Sequence, residues 1–99
     1  MSLRIIYTPG YNRRAARCLK KHPDLLPQYE KTLKLLEIDP FHPSLRLHRL
    51  KEPLSELHSV SINISYRITL ELAIQEQQIV PIDVGTHDEV YRWTESRKP

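Results

Sequence analysis

The spacing of apolar residues changes once along this 99-residue chain, and that change limits the folds open to it. Up to Ile38 apolar side chains recur at helical intervals; from Val60 onward they alternate with polar ones. Between the two regimes stands Asp39-Pro40-Phe41-His42-Pro43, a rigid connector that a helix cannot cross without interruption. A chain patterned this way segregates helices from an antiparallel sheet, which is an α+β arrangement.

Leu3–Tyr7 is a short β-favouring run closed by the turn signal Thr8-Pro9-Gly10. Tyr11–Lys21 then predicts a helix with Tyr11, Ala15, Cys18 and Leu19 on one face and Arg13, Arg14, Arg17, Lys20 and Lys21 on the rest. His22-Pro23 ends it, and Asp24 is the expected N-cap of a second helix with Pro27 in its first turn. Leu25, Leu26, Tyr29, Leu33, Leu36 and Leu35 supply that helix's apolar stripe. Three strands follow: Val60, Ile62 and Ile64 alternate with Ser59, Ser61 and Asn63; Tyr66, Ile68, Leu70 and Leu72 with Arg67, Thr69 and Glu71; Val80, Ile82 and Val84 with Pro81, Asp83 and Gly85. Pro81 cannot donate to a ladder, so it marks an edge strand or faces out at a bulge. The expected architecture is one domain over residues 1–99: two N-terminal helices packed on one face of a curved, mainly antiparallel four-stranded sheet. The opposite face, bearing Ser59, Ser61, Asn63, Arg67, Thr69, Glu71 and Asp83 with His87 at its lip, is expected to lie open as a polar platform or as a plain solvent side.

Composition narrows the function classes. Apolar content of 39% and charged content of 27% suit a globular chain rather than a disordered one. No apolar run approaches the roughly 20 residues a membrane helix needs, and Met-Ser-Leu-Arg is no signal peptide, so a soluble cytoplasmic protein with no membrane partner is expected. Cys18 is the single cysteine, which excludes an internal disulfide. Residues 1–51 hold eleven Lys/Arg against four Asp/Glu (+7), and residues 52–99 hold four against eight (−4), giving the net +3. A basic first half suits a polyanion such as RNA, or is a solvated helix face. No histidine pair has zinc spacing, so no metal ligands are expected.

Three segments carry a family resemblance: Leu47-His48-Arg49-Leu50-Lys51, Tyr66-Arg67-Ile68, and Ile82-Asp83-Val84-Gly85-Thr86-His87-Asp88-Glu89-Val90-Tyr91. With the element order, they make the chain resemble the RelE/ParE superfamily of toxins from toxin–antitoxin pairs, nearest in flavour to its YafQ-type branch. The resemblance implies ribosome-dependent cleavage of messenger RNA, in which a 2′-hydroxyl attacks the neighbouring phosphate with no metal or cofactor. By the same resemblance His48 and His87 are the acid–base pair, Arg67 the phosphate clamp and Tyr91 the aromatic that holds a base. Arg46, Arg49 and Lys51 are generic RNA phosphate contacts. The implied partners are an antitoxin and messenger RNA on the ribosome. Two alternatives stand beside this: a ParE-like inhibitor of DNA gyrase, and a degenerate homologue that mainly binds its antitoxin. The departures from the pattern are Ser59 and Ser61 where active members carry cations, and Asp83 where YafQ-like proteins carry arginine. A carboxylate facing the platform would repel RNA phosphate, unless Asp83 has a new role such as orienting His87.

Overall fold

The structure is a computed structural model that describes residues 3–52, 54–86 and 88–90. Strand β1 (Arg4–Ile5) leads into helix α1 (Pro9–Lys21), a 3-10 turn at Pro23–Leu25 and helix α2 (Leu26–Ile38). A second 3-10 turn (Pro43–Leu45) precedes β2 (His48–Arg49), β3 (His58–Ser61), β4 (Tyr66–Ala73) and β5 (Gln78–Thr86).

These elements begin where the local chemistry dictates. The hydroxyl of Thr8 accepts from the Tyr11 amide at 3.2 Å, and Pro9 occupies the first turn, so the expected turn signal is an N-cap followed by proline and α1 starts earlier than its stripe suggested. Asp24 does not cap α2. It lies inside the 3-10 turn, and the helix starts at Leu26 with no side-chain cap. Pro27 falls in the first turn, as expected.

The sheet has five strands in the order β1-β5-β4-β3-β2. It is mixed, because β1 runs parallel to β5 while the other pairs are antiparallel. The fifth strand, β2, was unforeseen: it is two exposed residues long and carries no alternation to read. Val60, Ile62, Ile68, Leu70, Ile79 and Val84 bury against Tyr11, Ala15, Tyr29 and Leu36 of the helices in one core.

Two inward assignments are corrected. Ile64 is 94% exposed, because β3 ends at Ser61 and Asn63 Oδ1 accepts from the amides of Ser65 and Tyr66, closing a tight turn. In β5 the inward set is Ile79, Pro81 and Val84 rather than Val80, Ile82 and Val84. The register shifts between Thr69/Leu70, with Asp83 opposite Thr69 and Pro81 opposite Leu70, so Ile82 is the extra residue of a bulge. Pro81 has no N–H to donate, and the bulge accommodates it while its ring faces into the core.

The helices are tied to each other by a buried pair of phenols, Tyr11 Oη and Tyr29 Oη, 2.6 Å apart. Burial drives the Tyr11 pKa far above that of an ordinary phenol, so the pair stays neutral. Tyr11→Phe is expected to cost about 1–2 kcal/mol by leaving the Tyr29 hydroxyl unpaired, and adding Tyr29→Phe should recover part of that loss. Urea denaturation of the two single variants and the double variant measures it, and strictly additive losses would contradict the pairing.

Candidate functional site

The register sorts the strands' side chains onto two faces. His48 lies opposite Ser59, Ser59 opposite Thr69, and Thr69 opposite Asp83. The neighbouring row on the same face is Ser61, Arg67 and Gly85. Arg49 lies opposite His58, and His58 opposite Leu70, on the other face. The fold therefore places His48 and Arg67 on one face, about 10 Å apart across β3 and about 7 Å apart along the strands by standard sheet spacings. It turns Arg49 to the other face. Arg46 and Lys51 are exposed on either side of β2, next to His48 in sequence. His87 and Tyr91 lie outside the described residues.

His48 has a defined tautomer. Its Nδ1 stands 2.9 Å from the carbonyl oxygen of Arg46, and a carbonyl only accepts, so Nδ1 carries the proton. Nε2 of the neutral ring then keeps its lone pair, the state a general base requires. The carbonyl is presented by strained backbone: Arg46 is left-handed, with φ 52°.

The face is not the open platform its alternation suggested. Ser59 and Thr69 are fully buried, and Asp83 is 6% exposed. The chain after β5 folds back over it: a Cβ on Gly85 would lie 3.1 Å from Glu89 Oε1 and 3.6 Å from Val90 Cγ1. Val90, Leu50 and Leu54 are buried outside the main core. Thr86 and Glu89 lock this return with a capping box, the Thr86 amide donating to Glu89 Oε1 at 2.9 Å and the Glu89 amide to Thr86 Oγ1 at 3.3 Å.

Asp83 also departs from expectation. Its Oδ1 accepts from the Val84 amide at 2.8 Å and lies 3.5 Å from Arg14 Nε. The same guanidinium donates to the Ile82 carbonyl at 3.2 and 2.6 Å. Asp83 is thus matched by a cation from α1, and the repulsion foreseen from the sequence is largely cancelled.

Arg14 is a residue the sequence reading missed, although it lies three residues after Tyr11 and four before Cys18, on the inward stripe. His58 is another: it is half-buried and its Nδ1 has no hydrogen-bond partner. Burial, then Arg49, then His48 lower its pKa, so it is neutral at neutral pH. His22, which follows the end of α1, lies 3.0 Å through Nε2 from the hydroxyl of Tyr66. Burial first, then Glu89 and Asp83, push the Cys18 thiol up, which disfavours a thiolate nucleophile. No cluster of three or more His, Cys, Asp or Glu able to hold a metal occurs among the described residues, and none of their helices is long and apolar enough to cross a membrane.

Two short helices on a five-stranded sheet with this connectivity are a fold shared with solved structures of toxins. The likeness is to particular solved structures. YafQ from E. coli strain BL21(DE3) superposes with a TM-score of 0.73 at 14% identity, covering 90% of this chain and 98% of that one. The toxin–antitoxin complex DinJ-YafQ of E. coli matches with TM-score 0.73 at 15% identity, over 92% of this chain and 99% of the matched one. The YoeB/ParE toxin from Agrobacterium tumefaciens gives 0.69 at 13%, over 86% and 99%. No protein-family model matches the sequence, and no protein of curated function does. At such identities the likeness is one of fold.

Two outcomes test this geometry. Arg14→Ala should destabilise the chain by about 1–3 kcal/mol, since it removes the ion pair to a buried carboxylate and the donor to the Ile82 carbonyl. Asp83→Asn should cost less, because Arg14 keeps the Ile82 carbonyl; equal losses in thermal unfolding would refute the assignment. The second concerns pH. The Thr86 amide, opposed by burial and aided by the Thr86 hydroxyl and the His22 and Lys21 charges, holds the Glu89 pKa below its usual 4.5. A depressed carboxylate stabilises the fold above its unfolded value and loses that contribution as pH falls through the folded one. Glu89→Gln should therefore flatten the decline of melting temperature on the acid side.

Proposed function

We propose that this chain is the toxin of a toxin–antitoxin pair and acts as a metal-free endoribonuclease on messenger RNA at the ribosome. The observation that carries the reading is that His48, its Nδ1 bonded to the Arg46 carbonyl, and Arg67 lie on one face of the sheet. His48 Nε2 takes the proton of a 2′-hydroxyl, whose oxygen attacks the adjacent phosphorus. Arg67 balances the charge that develops on the phosphate. His87 gives a proton to the departing 5′-oxygen, and Tyr91 stacks on a base. Arg46 and Lys51 contact flanking phosphates beside His48, while Arg49 serves RNA that wraps the edge strand onto the other face.

The neutralised Asp83 favours a working nuclease over a degenerate homologue, because the one anion expected to oppose phosphate already has its counter-charge. A gyrase inhibitor would have no use for a defined His48 tautomer. The partner in the cell is a small antitoxin, in keeping with a fold seen in the DinJ-YafQ complex.

His48→Ala, Arg67→Ala and His87→Ala should each lower cleavage by about 10²–10⁴-fold. Melting temperatures of the His48 and His87 variants should stay close to that of the unaltered chain. The measurement is the mapping of message ends after induced expression, repeated with purified chain and ribosomes. Gyrase-dependent DNA damage that persists in the histidine variants, with no message cut, would overturn the proposal.

A further inference from the structure

Strand β1 covers β5 only at Gln78 and Ile79, so over residues 81–86 no strand lies on the outer side of β5 among the described residues. Pairing with β4 shows which way the backbone groups of this stretch turn. Tyr66 stands opposite Thr86, and its carbonyl turns to β3, where it accepts from the Ile62 and Asn63 amides. Antiparallel pairs alternate, so the Thr86 amide points away from β4, and so does that of Val84 two residues before. Both are held by side chains instead of a strand: Val84 donates to Asp83 Oδ1 at 2.8 Å and Thr86 to Glu89 Oε1 at 2.9 Å. The Ile82 carbonyl is held the same way, by Arg14. A side chain in a ladder position can be exchanged for a backbone partner at little net cost.

A cleft of about 170 Å³ lies beside Val84, between this edge and α1, and Arg17, Cys18 and Lys21 line its helical wall. Helix α1 holds five cations, Arg13, Arg14, Arg17, Lys20 and Lys21, and no acidic residue. The two carboxylates of the cleft, Asp83 and Glu89, are the side chains that hold the edge amides. We infer that the outer edge of β5 over residues 82–86 is a docking surface for an extended, acidic peptide segment of another protein. Backbone carbonyls of the guest take over the Val84 and Thr86 amides, and its acidic side chains face α1. Each displaced carboxylate keeps a counter-charge: Asp83 Oδ1 is 3.5 Å from Arg14 Nε, and Glu89 feels the charges of His22 and Lys21. Arg13, Arg17 and Lys20, all exposed, are left to meet the guest. This surface needs neither His48 nor Arg67, so it stands or falls apart from the nuclease reading.

The test titrates the full chain, labelled for amide NMR, with a synthetic octapeptide of alternating valine and glutamate. Saturable shifts at the Val84 and Thr86 amides are expected. The same peptide N-methylated throughout, which cannot form a ladder, should give none, and neither should its counterpart with lysine for glutamate. The double variant Arg17→Ala, Lys20→Ala should bind the acidic peptide about three- to tenfold more weakly, with a melting temperature close to that of the unaltered chain. Four results would each overturn the docking surface: no saturable shift at the two amides, equal shifts from the N-methylated peptide, undiminished affinity in the double variant, or the same two amides moved as strongly by octauridylate. The last of these would make the cleft a nucleic-acid surface instead.

Discussion

Strand β5 has to carry Pro81 within its ladder to β4, and much of the molecule's arrangement answers that constraint. Proline's missing N–H is absorbed by a bulge, and the bulge leaves the Ile82 carbonyl without a ladder partner. Arg14 reaches from α1 to bond it, and its guanidinium also balances the Asp83 carboxylate. One side chain thereby ties the first helix to the last strand. The return of residues 88–90 across Gly85 starts from the strand that this contact holds in place.

Much of the fold is legible in the sequence because burial imposes periodicity. The two helices, the three long strands and the α+β class all follow from stripes at intervals of 3.6 or 2. What escaped has a physical reason in each case. Strand β2 is two exposed residues long, too short to show a period. The bulge shifts inward and outward positions by one, so Ile79 and Pro81 fill places that uninterrupted alternation assigns to Val80 and Ile82. Ile64 continued an alternation that Asn63 ends by turning the backbone.

The site was less legible than the fold. His48 and Arg67 can be chosen by likeness to a known pattern, but that they share a face, while Arg49 does not, depends on pairings across three strands. Asp83 reads as a lone carboxylate on a wet surface because its partner lies sixty-nine positions earlier by residue number, in a helix whose cations all look like solvent charges. The polar face likewise reads as open, since nothing in its alternation reveals that the chain returns over it. Long-range contacts of this kind leave only a weak trace in a single sequence: an arginine at a helix position that spacing marks as inward.

The sheet is flanked on both sides by stubs. Strands β1 and β2 are each two residues long, and β2 carries a histidine and an arginine. An exposed strand edge is a template on which another copy can add itself, and its length governs how many hydrogen bonds such an addition gains. Edges this short offer few, and the positive charge on β2 makes a second copy of the same edge a poor match. The longest strands, β4 and β5, are paired with each other along their length, while β1 covers β5 only at Gln78 and Ile79.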